Sequence, residues 1–202
     1  MLSPKRFDYF RRRQRLEDVL FRNVHRAVRR KGYMTPRDFF MAVRWRAGIT
    51  MNIIKESNVG LRRKIRASTA LVLDDEKTGT LKEKIAALTD MSGIGVPVAS
   101  AVLAVCFPER YAVLDSSAWS VLHQWSQNGE LDQRLGSVDL ESVPSEEEAA
   151  VREYLNYQRI CSRLANQVFP TLPPKRRIRA LVGALKAYRR DQTMTAFLKR
   201  LR

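Results

Sequence analysis

The sequence predicts an all-α protein, and three observations support that class. Apolar residues recur three or four positions apart along most of the 202 residues, which is the period of amphipathic helices. Helix-start signals precede several of these runs, and Gly or Pro separates them. The β-prone patches are short, and residues 111–114 are the clearest of them. We therefore predict one compact, all-helical domain over residues 1–202, without internal repeats.

The N-terminal half divides into four predicted helices. A basic helix covers residues 5–31 and ends at Gly32, and a second begins at Thr35-Pro36 with Thr35 as N-cap and runs to Trp45. Ser57 caps a third helix that extends to about residue 72. The fourth starts with a capping box, in which Thr80 is followed by Glu83.

The C-terminal half contains fewer and longer helices. After a helix that ends near Cys106, another follows Asp115 and reaches about Trp125. Residues 126–144 are polar and irregular, and a long helix then runs from Ser145 to Val168. Pro173-Pro174 breaks the chain, and one or two basic helices complete residues 174–202.

The net charge of +16 indicates a polyanionic partner. Nucleic acid is the leading candidate, and an anionic membrane surface is the alternative. Residues 1–66 hold 19 Lys/Arg against 5 Asp/Glu, residues 171–202 hold 10 against 1, and residues 130–153 reverse the sign with 8 acids against 2 bases. The basic residues predicted to contact DNA phosphates are Arg11, Arg12, Arg13, Arg62, Arg63, Lys64, Lys175, Arg176 and Arg177. Any single cluster is equally typical of a solvated helix face.

The counts of cysteine and histidine argue against several classes. Two cysteines, Cys106 and Cys161, lie in apolar surroundings, where reduced and buried thiols are expected. Two cysteines cannot supply a four-Cys metal or iron–sulfur site, and the two histidines are far apart. No apolar run is long enough to span a membrane, and no apolar segment follows the basic N-terminus. We predict a cytoplasmic protein without a metal, a nucleotide cofactor or a membrane partner.

The segment "LTDMSGIGVPVASAVLAVCFPERYAVLDSSAWSVL", residues 88–122, carries the strongest functional signal. It predicts two helices joined by a tight turn, a hairpin at about residues 81–106. Gly93 and Gly95 permit close backbone approach, and Ile94 between them should plug into the core. The free amides of the turn and the helix start, from Gly93 to Val96, suit a phosphate oxygen. A plain helix–helix turn explains the same residues without a ligand.

Asp115 has two interpretations. It follows the apolar strip 112–114 and precedes a helix, so it is a favourable N-cap. A carboxylate that projects from a firmly packed strip also suits catalysis. The two roles are compatible.

Residues 88–122 resemble the helix-hairpin-helix DNA glycosylase superfamily. The shared pattern is an apolar residue, Gly93-Ile94-Gly95, Ala99, an apolar helix and an extended strip that ends in Asp115. A weaker helical similarity extends over residues 33–190. The stretch "ERYAVLDSSAW" also looks like that of a group of bacterial proteins carrying this hairpin.

The resemblance implies that Gly93, Gly95 and nearby amides grip the DNA backbone and that Asp115 is the catalytic carboxylate. Pro97 occupies the position at which bifunctional members keep a Schiff-base lysine, so no lyase activity is expected. Members of the family often have a His or another polar group just after the Asp; this chain has Ser116-Ser117 there, so the local pocket is expected to differ. The resemblance also allows a monovalent cation at the hairpin. A flipped base would need an aromatic surface to stack on, and Trp45 and Trp119 are the candidates for it.

The predicted function is therefore removal of a damaged or modified base from duplex DNA by a monofunctional glycosylase. The alternative is a non-catalytic duplex DNA-binding protein with a glycosylase-derived fold, and a third, weaker hypothesis is an RNA-binding partner.

Overall fold

The computed structural model describes residues 15–47, 59–131 and 147–200, and these residues form helices joined by loops and contain no strand. The prediction of an all-α protein is confirmed for them. The chain divides into two compact units, residues 1–107 and 108–202. Each unit is described separately below.

The first unit is built around an apolar helix. A π-helical segment, Val19–Val24, continues into α1, His25–Lys31, and α2 (Pro36–Ala47), α3 (Val59–Leu73), α4 (Leu81–Thr89) and α5 (Val96–Cys106) follow. Nine of the eleven residues of α5 are buried, and α5 contacts α1, α2 and α4. The side chain of His25 donates from Nδ1 to the carbonyl of Val105 at 3.0 Å, which joins α1 to α5.

Two of the predicted helix ends are confirmed. Gly32 ends α1 in the left-handed conformation, with φ 74°. Thr80 and Glu83 form the predicted capping box, in which the Thr80 side chain accepts from the Glu83 amide and the Glu83 side chain accepts from the Thr80 amide.

The π-helical segment was not predicted, but the apolar spacing accounts for it. Leu16, Leu20, Val24 and Val28 are each four positions apart, and in an α-helix that spacing drifts by about 40° per step. A π-helical turn holds more residues and absorbs the drift. Leu20, Val24 and Val28 are consequently all buried.

The second unit contains α6 (Ser116–Gln127), α7 (Glu147–Val168) and α8 (Pro174–Arg200). The last of these is one continuous helix, where the sequence left one or two open. α8 packs on both α6 and α7. Residues 111–115, which precede α6, belong to no helix or strand, and the backbone of Asp115 at their end is extended, with φ −119° and ψ 126°.

Lys84 shows that a basic residue of this chain can be structural. Its side chain is 1% exposed and donates to the Val72 carbonyl at 2.6 Å and to the Asp75 carboxylate at 2.8 Å. Its ammonium group also lies 5.2 Å from the centre of the Phe107 ring. This lysine therefore ties α4 to the loop after α3 instead of facing solvent.

Candidate functional site

The extended strip before α6 is held by one face of α7. Tyr154, Tyr157 and Gln158 lie at positions i, i+3 and i+4, so they project from the same side of that helix. The Tyr154 hydroxyl donates to the Ala112 carbonyl at 2.8 Å, and the Tyr157 hydroxyl donates to the Val113 carbonyl at 3.2 Å. The helix thus supplies the hydrogen bonds that a neighbouring strand would give to an extended backbone.

Gln158 makes a paired contact with the strip. Its Oε1 accepts from the Ala112 amide at 2.6 Å, and its Nε2 donates to the Arg110 carbonyl. A carboxamide offers one acceptor and one donor side by side, which matches the amide and carbonyl of an extended chain. Ala112 is 1% exposed, so water cannot easily replace this contact.

Asp115 stands at the end of the strip as the N-cap of α6. Its Oδ1 accepts from the amides of Ser117 at 3.0 Å and Ala118 at 3.3 Å. Its Oδ2 lies 2.9 Å from the Nζ atom of Lys186. The predicted N-cap role is confirmed, and the carboxylate has a cationic neighbour in addition.

Lys186 reaches Asp115 from the middle of α8. The side chains of Lys186 and Asp115 are 26% and 14% exposed, so solvent reaches the pair but does not surround it. An ion pair with this degree of burial is screened less than one on an open surface. The structure therefore places a carboxylate and an amine together at the start of α6.

Tyr157 forms the buried side of this site. Burial raises the pKa of Tyr157 well above its usual value, and the neighbouring Cys161 and Asp115 raise it further. The hydroxyl consequently stays protonated and remains a donor to the strip at neutral pH. Burial likewise raises the pKa of Cys161 to about 12, so this thiol is not a nucleophile.

Trp119 and Trp45, the two candidates for a base pocket, are packed against other rings. Trp119 is 4% exposed and stacks on Tyr157, with ring centres 5.5 Å apart. Trp45 is partly buried and meets Phe21 edge to face at 5.3 Å. Trp119 therefore presents no open face to a flipped base in this arrangement, whereas Trp45 keeps part of its surface exposed.

The turn between α4 and α5 belongs to the first unit. Ile94 is 3% exposed, which confirms that it plugs into the core, whereas Gly93 and Gly95 on either side are exposed. Gly93 is left-handed, with φ 81°. Gly95 is the N-cap of α5 in an extended conformation and makes no side-chain cap, and Pro97 lies in the first turn. Gly93 is therefore required by a left-handed backbone, whereas the backbone conformation at Gly95 is open to other residues.

This difference predicts opposite behaviour for two alanine substitutions. Gly93→Ala forces a left-handed Ala and should lower the free energy of unfolding by roughly 1 to 2 kcal/mol. At Gly95 an added Cβ would meet only Pro97 Cδ, at 3.7 Å. Ala is a poorer N-cap than Gly, but it also makes the unfolded chain less flexible, and because these effects oppose each other Gly95→Ala should change stability by less than about 0.5 kcal/mol. If the turn holds a phosphate, Gly95→Ala should nevertheless weaken duplex DNA binding about three- to tenfold. Denaturant unfolding measures the stabilities, and fluorescence anisotropy measures the affinity for duplex DNA. Wild-type affinity in Gly95→Ala would contradict a close approach of the DNA backbone to Gly95.

The predicted basic clusters have different environments. Arg62, Arg63 and Lys64 are exposed on α3, and the Nζ atom of Lys64 contacts the Asp90 carboxylate at 2.8 Å and its carbonyl at 2.7 Å. Lys64 therefore ties α3 to the residue that precedes the glycine turn. The residues Arg11, Arg12 and Arg13 lie outside the described part of the chain.

The three basic residues at the start of α8, Lys175, Arg176 and Arg177, also differ in their environments. The guanidinium of Arg177 donates to the carbonyls of Leu172 and Pro170, both at 2.8 Å, and to Oδ1 of Asn166 at 3.1 Å. Arg177 thus closes the connection between α7 and α8 and is less suited to a phosphate than the sequence predicted. Lys175 and Arg176 are exposed.

Sequence reasoning did not assign Tyr154, Tyr157, Gln158 or Lys186 to this site. The signal for three of these residues was present as the i, i+3, i+4 spacing of Tyr154, Tyr157 and Gln158 on an amphipathic helix. Lys186 had no comparable signal, since it is one of ten basic residues in residues 171–202.

Within the described residues, no group of three or more His, Cys, Asp or Glu side chains is placed to hold a metal ion. No helix in that part of the chain is long and apolar enough to cross a membrane. Comparison with protein-family models, with curated proteins and with solved structures finds no match to this chain. The class that the described residues define is an all-helical protein with a partly buried carboxylate–amine pair, and its function is inferred from that chemistry.

Proposed function

We propose that the protein is a monofunctional DNA glycosylase that hydrolyses the N-glycosidic bond of a damaged or modified base, with Asp115 as its catalytic carboxylate. One observation carries the proposal. Asp115 is partly buried at the end of a strip whose backbone is fixed by Tyr154, Tyr157 and Gln158. A carboxylate held this firmly is suited to act on a charge that develops next to it.

The proposed chemistry uses that carboxylate as an anion. When the bond between C1′ and the base breaks, the electron pair leaves with the base and the sugar becomes positively charged. A carboxylate close to C1′ lowers the energy of that cation and can accept a proton from the attacking water. Water supplies the oxygen to C1′ and one proton to the carboxylate, the departing base takes a proton from solvent, and no strand is cut in this reaction.

The remaining features suit a DNA substrate. The target base has to leave the stack before C1′ becomes accessible, and the net charge of +16 favours a polyanion. In the first unit the exposed Gly93 and Gly95 leave the start of α5 open to a phosphate oxygen. The cations of α3 and α8 supply further phosphate contacts, which would make binding fall steeply with salt.

The test is the formation of abasic sites. Purified protein is incubated with duplex DNA that carries alkylated, oxidised, deaminated or hypermodified bases, and heat or alkali then converts abasic sites to breaks. The expected result is breaks on one substrate class, seen only after that treatment. Asp115→Asn is the matched control and should give none.

Two other outcomes would overturn the proposal. Breaks that appear without heat or alkali would indicate a lyase step and contradict the monofunctional assignment. Salt-sensitive binding to duplex DNA without base release from any class would identify a non-catalytic DNA-binding protein, in which Asp115 serves only as an N-cap. A preference for RNA over duplex DNA would contradict both.

A further inference from the structure

The ion pair between Asp115 and Lys186 has a consequence for how a catalytic carboxylate becomes available. Oδ1 of Asp115 accepts from two amides of α6, and Oδ2 lies 2.9 Å from the Lys186 ammonium. Both oxygens are therefore engaged in the free protein. A sugar cation could approach Oδ2 only if the ammonium moved away or shared that oxygen.

Lys186 also belongs to a row of cations on α8. Arg179 lies seven positions before it, and Arg189 and Arg190 lie three and four positions after it. These spacings place the four cations on one side of the helix. Val182 and Leu185 lie between Arg179 and Lys186 in the sequence, and these two apolar residues are buried, with 9% and 2% exposure.

The two halves of the ion pair differ in their freedom to move. Asp115 is fixed because its backbone ends the held strip and its side chain caps α6. Lys186 has a flexible four-carbon stem and a side chain that is 26% exposed. If a phosphate oxygen competes for the ammonium, Lys186 is the partner that moves.

We propose that Lys186 is a positioning residue that exchanges Asp115 for a DNA phosphate when duplex DNA binds. In the free protein the ammonium neutralises the partly buried carboxylate. On DNA it would transfer to a phosphate along the Arg179–Arg190 face and leave Oδ2 of Asp115 open to the developing sugar cation. The inference rests on the proposed function, because it assigns a purpose to freeing Asp115.

The salt dependence of DNA binding tests the exchange directly. Each phosphate neutralised contributes about 0.9 to the slope of log K against log salt. Lys186→Met should reduce that slope by about 0.9, whereas Lys186→Arg, which keeps the charge, should leave it unchanged. An unaltered slope in Lys186→Met would mean that Lys186 only stabilises the fold and would overturn the proposal. Thermal unfolding of both variants shows that the comparison is between folded proteins.

The affinity of Asp115→Asn gives an independent measurement. Without the carboxylate, Lys186 is available to phosphate from the start, so duplex affinity should rise roughly three- to fivefold. Removing any acid raises the net charge. Asp191 is an exposed residue on α8, the helix that carries Lys186, and Asp191→Asn controls for that effect. The increase should exceed that of Asp191→Asn and should disappear in the double variant with Lys186→Met. Equal increases in Asp115→Asn and Asp191→Asn would contradict the exchange.

These binding measurements separate the two proposals. Base release by the wild type together with an unaltered Lys186→Met slope would refute the exchange and leave the glycosylase assignment intact. A reduced slope without base release from any substrate would refute the glycosylase assignment and leave the exchange. Borohydride would link Lys186 covalently to DNA only if Lys186 had formed a Schiff base with the sugar and so acted as a nucleophile. That result would overturn its role as a positioning residue.

Discussion

Replacement of Asp115 by Asn is expected to lower the rate of base release at least 100-fold while the protein stays folded. Loss of one preorganised group that stabilises transition-state charge costs about 100- to 1000-fold in kcat. Asn is as good an N-cap as Asp, so the hydrogen bonds from the amides of Ser117 and Ala118 can persist. The substitution removes the ion pair with Lys186, whose side chains are 26% and 14% exposed, and such a pair contributes up to about 1 kcal/mol.

The measurement is a single-turnover rate of abasic-site formation with enzyme in excess, on the substrate that the screen identifies. Asp115→Ser adds a second capping residue that lacks a carboxylate, and it should be as inactive as Asn. Asp191→Asn changes net charge equally and should keep the wild-type rate. Rates within threefold of wild type in both Asp115 variants would show that Asp115 is a cap and not a catalyst.

The helices were predictable because their signals are local. Apolar spacing and caps such as Thr80 with Glu83 act within one or two turns, so they can be read from a single sequence. The burial of Ile94 followed from its position between two glycines. The π-helical segment follows from a spacing of four that was present but was interpreted as an ordinary helix.

The support of Asp115 was not predictable because it depends on residues that are distant in the sequence. Ala112 and Gln158 are 46 positions apart, and nothing in a single sequence indicates which glutamine meets which amide. The charge of Lys186 likewise does not distinguish it from the other cations of α8. Lys84 and Arg177 are cations that composition alone would assign to solvent or to DNA. Their side chains instead donate to backbone carbonyls and have structural roles, which only tertiary contacts reveal.

Replacement of Gln158 by Leu is expected to lower the free energy of unfolding by roughly 3 kcal/mol and to reduce base release as well. Leu fills a similar volume but leaves the buried Ala112 amide and the Arg110 carbonyl without the Gln158 carboxamide. The unpaired buried Ala112 amide costs about 1 to 3 kcal/mol, and the Arg110 carbonyl, which is only partly buried, adds less. The strip that ends in Asp115 would then lose part of its support, and a small displacement of a catalytic group is costly.

Two matched variants separate these contributions. Gln158→Glu keeps the acceptor for the Ala112 amide, but Gln158 is only 7% exposed, so an ionised Glu would bury a charge and set an oxygen against the Arg110 carbonyl. It should be no more stable than Leu near neutral pH and should regain stability at low pH, where the protonated acid can donate to that carbonyl. Tyr154→Phe removes one hydroxyl that donates to the Ala112 carbonyl at 2.8 Å and should cost about 1 kcal/mol. Denaturant unfolding gives the stabilities, and single-turnover kinetics below the unfolding transition gives the rates. Wild-type rates in a destabilised but folded Gln158→Leu protein would show that the position of Asp115 does not depend on this contact and that the N-cap and the two tyrosine hydrogen bonds are enough to hold the carboxylate.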